Sequence, residues 1–334
     1  MIFALIVTYG NRFNFLQQVI DSCIEEKVNK ILVVDNDSEQ ESKEKLQELE
    51  SKLSDRVDVV YLDKNIGSAG GFKIGLERIL TNNDCDFVWL LDDDNVPERK
   101  SLQVIKDYWS SLSKKDKNVA LLSYRPVKDN IGYRNAILEN KPDLVLGRKN
   151  SFLGFHYRDL PKKIIKQILL RTIKRKPIVH LRSGAVAVAP YGGIFISKDL
   201  LKKIGFPDEQ FFVYGDDHEW SYRITKQGGR IILLLDSRIH DCDVSWNVKK
   251  ETKTNFESLV NAPTLRLFYS TRNRIFFEKN NLIDNVLIYW INLVLYVFIF
   301  LGYAFCFFNI TNVIVFFKAI KDGYFNTRMI NNRY

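Results

Sequence analysis

Three adjacent carboxylates, Asp92-Asp93-Asp94, follow the apolar run Phe87-Val88-Trp89-Leu90-Leu91. Such a run reads as a short strand buried on both faces, as in a parallel sheet. The acids then fall at its carboxyl end, outside which open α/β sheets bind their ligands. Side by side they repel one another and gain nothing from packing. A divalent cation relieves that repulsion, and hard oxygen donors suit Mg²⁺ or Mn²⁺. A solvated acidic turn capping the next helix is the competing reading, and this stretch alone does not choose between them. A second acid pair, Asp216-Asp217, follows Phe211-Phe212-Val213-Tyr214-Gly215 and precedes His218-Glu219-Trp220. Asp216, Asp217 and Glu219 are favourable charges in the first turn of a helix that runs to Gln227 and ends at Gly228-Gly229. That capping role does not explain the aromatics before them, which suit a wall on which a sugar stacks. His240 reads either as a metal ligand or as an ordinary polar residue; the triple Asp lacks its remaining ligands.

Positioning these acids needs a regular scaffold. Ile2–Val7, Lys30–Val34, Val57–Leu62 and Phe87–Leu91 read as strands. Helical patterns over 13–26, 38–53 and 67–80 separate them. Each strand ends in polar residues: Thr8-Tyr9, Asp35-Asn36-Asp37-Ser38, Asp63 with Asn65, and the triple Asp. Alternating strands and helices predict a doubly wound, mostly parallel sheet flanked by helices. Asp35 could accept from a base or ribose. Gly67-Ser68-Ala69-Gly70-Gly71 opens a helix whose amides attract phosphate. The same glycines also fit a plain turn with tight helix–strand packing, since they match neither G-x-G-x-x-G nor a P-loop.

The chain of 334 residues carries a formal net charge of +9, which favours an anionic partner: nucleotide phosphates, anionic lipid or nucleic acid. No nucleic-acid motif is present. Cys23, Cys85, Cys242 and Cys306 form no C-x-x-C pair, so neither a disulfide framework nor a thiolate metal site is expected, in keeping with a reducing cytosol. The amino terminus enters a strand at once, so no secretory signal is expected. Between Arg125 and Arg182 the α/β rhythm lapses. There Ile164, Ile165, Ile168, Leu169 and Ile173 share a helical stripe flanked by seven Lys or Arg within 159–176. That pattern fits the surface of an anionic membrane, or a helix packed on the domain with a solvated face. Near the carboxyl end, Val286–Phe308 is 23 residues of apolar sequence broken only by Asn292 and Gly302. Its length permits one transmembrane helix. A helical hairpin lying in one leaflet, or a contact in a homo-oligomer, fits the same residues.

Taken together these residues resemble the family 2 inverting glycosyltransferases of the GT-A, Rossmann-like fold. The resemblance is carried by Val7-Thr8-Tyr9, Val34-Asp35-Asn36-Asp37-Ser38, Asn65-Ile66-Gly67-Ser68-Ala69-Gly70-Gly71-Phe72, Asp92-Asp93-Asp94, Gly192-Gly193, Asp216-Asp217 and His240, in that order over roughly 1–245. The Asn-x-Gly-x-x-Gly-Gly-Phe and Tyr-Gly-Asp-Asp-x-Glu runs, with Thr271-Arg272-Asn273-Arg274, are most similar to the galactofuranosyl- and rhamnosyltransferase branch. The resemblance implies a nucleotide-sugar site of Thr8, Asp35, Asn65, Gly70, Gly71, Asp92 and Asp93. It implies Mn²⁺ or Mg²⁺ on Asp94 with Asp92 and His240. It makes Asp217 the general base, and Asp216 and Glu219 acceptor-orienting, with Gly193, Tyr214 and Trp220 on the acceptor side. Many relatives read Glu-Asp where this chain reads Asp216-Asp217.

The expected organisation is a glycosyltransferase domain over 1–245 and a helical, membrane-associated region over 246–334. Within the first, 1–123 is the nucleotide-binding half, 124–182 a basic insertion and 183–245 the acceptor half. The expected partners are a nucleotide-sugar donor, UDP-galactofuranose before dTDP-rhamnose, and a polyprenyl-linked glycan at the cytoplasmic face of the plasma membrane. The enzyme is expected to be peripheral or single-span. Two rivals stand beside this reading. A nucleotidyltransferase needs a Gly/Arg/Lys phosphate signature near the first strand, and Thr8-Tyr9-Gly10-Asn11-Arg12 is a poor one. A non-catalytic membrane-binding module leaves the acids at successive strand ends unexplained.

Overall fold

The computed structural model describes residues 1–113, 118–126, 131–160, 181–243 and 254–325. The basic stripe at 162–176 lies outside them. The chain divides into two compact units. The first comprises Met1–Val145, Leu181–Phe212 and Asp216–Val248; the second comprises Leu146–His180, Val213–Gly215 and Lys249–Tyr334.

In the first unit β1 (Ile2–Gly10), β2 (Lys30–Ser38), β3 (Val57–Leu62) and β4 (Phe87–Asp92) run parallel, with β1 central. Side chains of a strand alternate between faces. Phe3, Leu5 and Val7 of β1 therefore enter one core layer, and Ala4 and Ile6 the other. Helices α1 (Phe13–Glu25), α2 (Gln40–Lys52) and α4 (Ser101–Ser111) cover the second layer; α3 (Gly67–Thr81) covers the first. This half follows the expectation from alternating apolar runs and helical patterns.

The other half of the sheet adds antiparallel strands to this parallel half. The remaining strands are β5 (Asn95–Pro97), β6 (Val119–Tyr124), β7 (Ser183–Val186), β8 (Ile194–Ser197) and β9 (Arg230–Asp241). The order is β3-β2-β1-β4-β8-β6-β9-β5, with β7 also on β9. Strand β8 runs antiparallel to both β4 and β6, and β9 pairs antiparallel with β5 and β7. The sheet is mixed. Periodicity reports that a segment is a buried strand but not its direction, so the reversal at β8 is invisible in sequence. The β5–β9 pairing has the greatest functional effect, because it sets Asn95 opposite Asp241 just past the acid run. Helices α5 (Ile131–Leu138), α6 (Lys198–Ile204) and α7 (Asp216–Lys226) complete this unit.

The second unit is helical: α8 (Asn255–Val260), α9 (Thr264–Asn281), α10 (Val286–Cys306) and α11 (Ile310–Phe325). Its core joins Phe152 and Phe155 to Leu267, Tyr289, Tyr296, Phe300 and Phe316.

Candidate active site

At the end of β4 the three acids take three different environments. Asp93 is buried and turned toward β1, where its carboxylate accepts from the Thr8 hydroxyl at 2.9 Å and from Arg12 Nε at 2.8 Å. Arg12 also donates to Asp243 at 2.7 Å, and Arg12 Nη2 lies 3.6 Å from Asp94. Burial lowers the Arg12 pKa, but its ion pairs with Asp93, Asp243 and Asp94 outweigh that and raise it. Arg12 is therefore a permanent cation at the floor of the site. Asp92 is the most open of the three, with its side chain 37% exposed, and it meets Arg125 at 3.3 Å. Arg125 also pairs with the buried Asp241. Asn95 ties the parts together, donating from Nδ2 to Asp94 and to Asp241 at 3.0 Å each.

Five carboxylates (Asp92, Asp93, Asp94, Asp241 and Asp243) thus face two guanidinium groups. The surplus negative charge shows in Asp94. Burial, then the charges of Asp92, Asp93 and Asp241, push its carboxyl up to about 7. Hard oxygen donors in electrostatic excess fit a divalent cation. Magnesium is typically held by one or two carboxylates, with phosphate and water completing the shell. Among the described residues no group of three His, Cys, Asp or Glu side chains is set to hold a metal by itself.

The glycine turn before β8 closes one side of this cluster. A β-carbon on Gly192 would fall 2.0 Å from Asn95 Oδ1 and 2.8 Å from Asp92 Oδ2. Only glycine lets the backbone pass there.

The second acid pair opens α7. Adjacent helix residues point about 100° apart, so the two carboxylates diverge. Asp216 accepts from the Ser68 hydroxyl at 2.7 Å and lies against the buried Tyr191. Asp217 accepts from the His218 amide at 2.7 Å and feels the charges of Asp92 and Arg125. Burial raises both carboxyls, and the proximity of Asp217 raises Asp216 further. The loop just before α7 holds Phe212 at φ 64° and Tyr214 at φ 65°, in the left-handed region that aromatic residues rarely enter. Backbone strain of this kind clusters at functional sites.

A sheet with acids at its carboxyl ends, facing an acid pair on a helix, has a counterpart among known families. The family model described as Glycosyl transferase family 2 matches residues 4–185. The chain belongs to glycosyl transferase family 2. This glycosyltransferase is 25% identical to galactofuranosyltransferase GlfT1 of Mycolicibacterium smegmatis over 244 residues, 72% of this chain and 70% of that protein. Among solved structures it superposes on GalNAc-T7 with UDP, GalNAc and Mn²⁺ with a TM-score of 0.53 and 16% identity, covering 84% of this chain and 51% of that one. The mannosyltransferase PcManGT from Pyrobaculum calidifontis, in complex with GDP-Man and Mn²⁺, gives 0.50 and 16%, covering 84% and 64%. The chain thus spans about half the length of the first and under two thirds of the second. At these identities the likeness establishes the GT-A fold.

Not every residue the sequence singled out meets the acid cluster of the glycosyltransferase. Thr8, Asp92, Asp93 and Asp94 do. Asp35 is fully buried at the end of β2; its Oδ1 accepts from the Ser38 amide at 3.0 Å, while its Oδ2 has no partner among the described residues. A buried acceptor left open suits a ligand donor. Asn65 serves its own turn, accepting from the Gly67 amide at 2.9 Å. Gly70 and Gly71 face inward. An added β-carbon on Gly70 would lie 2.7 Å from Ile66, at the start of α3 itself, and one on Gly71 2.7 Å from Val7, so Gly70 packs the helix start and Gly71 brings α3 close to β1. Gly193, at φ +99°, packs on Ile239 and Ser123; its neighbour Gly192 is the one against the acids.

On α7, Glu219 is engaged by Arg223, with Nε at 2.9 Å. Trp220 is wholly buried, and its indole donates to the Gly205 carbonyl at 2.8 Å. It is a core residue and not part of an open sugar-binding wall. Tyr214 belongs to the second unit, half-buried, its carbonyl accepting from Asn273 at 2.8 Å. His240 is exposed on β9, and strand alternation turns the next residue, Asp241, inward instead. Sequence reading overlooked Arg12, Asn95, Arg125, Asp241 and Asp243. Asn95 and Asp241 each adjoin a highlighted residue; Arg12 and Arg125 carry no local signal of the acids they meet.

Proposed function

We propose that this glycosyltransferase moves galactofuranose from UDP-galactofuranose to a hydroxyl of a lipid-linked bacterial surface glycan. In this reading Asp217 is the general base. It removes the acceptor proton as the hydroxyl attacks the anomeric carbon from the side opposite the diphosphate, inverting that centre without a covalent intermediate. One observation carries the assignment. Asp217 feels Asp92 and Arg125, whereas Asp216 is bonded to Ser68. Asp216 is then a positioning residue for the first turn of α7.

Asp92 and Asp94 would hold Mn²⁺ or Mg²⁺, with phosphate oxygens supplying further ligands. Such an ion stabilises charge developing on a diphosphate leaving group. Asp35 would accept from the base or ribose. The donor sugar rests on the motifs shared with the galactofuranosyltransferase branch and on the relative GlfT1. The catalytic domain is taken as 1–245, with 246–334 meeting the cytoplasmic face of the plasma membrane, where a lipid-linked acceptor resides. A panel of sugar nucleotides, scored for hydrolysis and for transfer, tests the donor. UDP-galactofuranose should be turned over fastest. Faster turnover of dTDP-rhamnose would move the enzyme to the rhamnosyl branch, and release of pyrophosphate from a nucleoside triphosphate would make it a nucleotidyltransferase.

A further inference from the structure

Helix α10 carries no charged side chain over its 21 residues, a length of about 31 Å. One stripe is buried: Tyr289, Asn292, Leu293, Tyr296, Phe300 and Ala304. The other face exposes Leu287, Trp290, Ile291, Val294, Phe298 and Phe305. Of the 20 large apolar side chains exposed among the described residues, 14 lie between Val286 and Phe325. Soluble monomers rarely expose so contiguous an apolar patch, and one this size marks an interaction surface. Helix α11 packs back along α10, with Phe300 and Phe316 stacked at 4.0 Å and Trp290 against Tyr324 at 5.2 Å. It also exposes Ile310, Ile314, Phe317 and Phe325, with Lys321 on the same stripe.

We propose that the α10–α11 hairpin lies flat in one leaflet of a bilayer, its apolar face among the acyl chains, and does not cross the membrane. Two observations select lipid over a second protein. A protein interface carries a polar rim, and α10 has no charged residue to supply one. The exposed charges that border the hairpin are mainly basic, Arg148, Lys149, Arg158 and Lys321, against one exposed acid among the described residues there, Asp284, which Lys149 pairs at 3.5 Å. They complement anionic headgroups, and a long lysine can reach them from an apolar face.

The buried stripe excludes a span. Asn292, fully buried on α10, accepts from the Tyr157 amide at 2.8 Å and donates to the Asn150 carbonyl at 2.7 Å. Irregular backbone at 150–157 is thus bonded to the body of the helix. Arg158, the next residue, is exposed. Tyr289 reaches the buried Glu278 at 3.4 Å, and Asn312 of α11 donates to the Val260 and Ala262 carbonyls at 2.7 and 2.9 Å. Standing α10 upright across a bilayer would drag this loop and the Arg158 guanidinium into the hydrocarbon. A charged side chain at the centre of a bilayer is strongly disfavoured. Lying flat keeps the polar side in water and immerses only the apolar side.

This inference rests on the membrane half of the proposed function and not on the identity of the donor. The test uses the full chain, with Cys242→Ser and Cys306→Ser, on sealed phosphatidylethanolamine–phosphatidylglycerol vesicles. Leu287→Cys, Phe298→Cys and Phe308→Cys variants carry spin labels for depth measurement. All three labels should sit at one shallow depth below the phosphates. A label at Phe298 deeper than the two others would mean a span and overturn the proposal. Labels in water, or buried in a dimer that persists without vesicles, would overturn it as well. Phe298→Glu should weaken vesicle binding about tenfold or more, since it removes a fully immersed aromatic; unchanged binding refutes the leaflet contact. Its hydrolysis of sugar nucleotide should stay at the wild-type rate. Loss of donor chemistry in every variant, wild type included, would count against the glycosyl-transfer reading while the depth data still decide the geometry.

Discussion

Replacing Asp217 by asparagine removes a proton acceptor at almost constant volume. Loss of a general base typically slows a reaction about 10²–10⁴-fold, equivalent to about 3–5.5 kcal/mol of barrier. The stability cost should be small. Burial and the charge of Asp92 already raise this carboxyl, so the fold disfavours its charged form more than water does and accommodates a neutral group there. The amide is such a group, and its oxygen can still accept from the His218 amide now bonded at 2.7 Å. Unfolding free energy should therefore change by less than about 1 kcal/mol. Asp216→Asn keeps an oxygen for the Ser68 hydroxyl at 2.7 Å and should lose much less turnover. The raised carboxyl also sets the acid limb of the pH profile. Transfer should fall as pH drops through a value above the ordinary carboxylate range, and Asp217→Asn should remove that limb. Transfer kinetics at saturating donor, nucleotide calorimetry and thermal unfolding separate the cases. An Asp217→Asn variant that no longer binds nucleotide, or that keeps near-normal turnover while Asp216→Asn is dead, refutes the assignment.

Three other outcomes follow from the acid cluster. Chelator should silence transfer and added Mn²⁺ or Mg²⁺ restore it, with Asp94→Ala inactive yet folded; full activity in chelator without added metal would remove the ion from the chemistry. Gly192→Ala sets a β-carbon 2.0 Å from Asn95 Oδ1, so it should cost about 1–3 kcal/mol and most of the activity. Gly132→Ala, in α5 with open space around it, is the control that should leave the rate unchanged and cost no stability. Asp94, raised from 3.8 to about 7, holds in the folded chain a proton that the unfolded chain has already released between those values. Its contribution to metal-free stability therefore falls as pH rises through that window and is gone above it, by at most about 4 kcal/mol. Urea unfolding in chelator across that range reads this on top of the fall from the other raised carboxyls, Asp216 and Asp217, and Asp94→Asn should make the fall shallower than in wild type; equal slopes in the two would refute the shift.

The amino-acid sequence alone determined the alternating strands and helices of the first half, the acids at the end of β4, and the opening of α7 at Asp216. Each is written in residues near one another in the chain: apolar runs of strand length, helical spacing, and charges at a helix start. Tertiary structure decided the rest. Arg12 reaches Asp243 across 231 positions, and Arg125 reaches Asp241 across 116. No local pattern announces such pairs, because sheet order and strand direction create them. The inward turn of Asp241 in place of His240 depends on the register of β9, since one step along a strand reverses the face. Gly70, Gly71 and Trp220 fit a ligand-facing pattern in sequence, yet packing assigns them to the core. An apolar stretch such as 286–306 has the length to cross a membrane. Only the hydrogen bonds that Asn292 makes to 150–157 fix which side of that helix belongs to protein. A helix's length comes from its own residues, whereas its environment comes from what the rest of the chain packs against it.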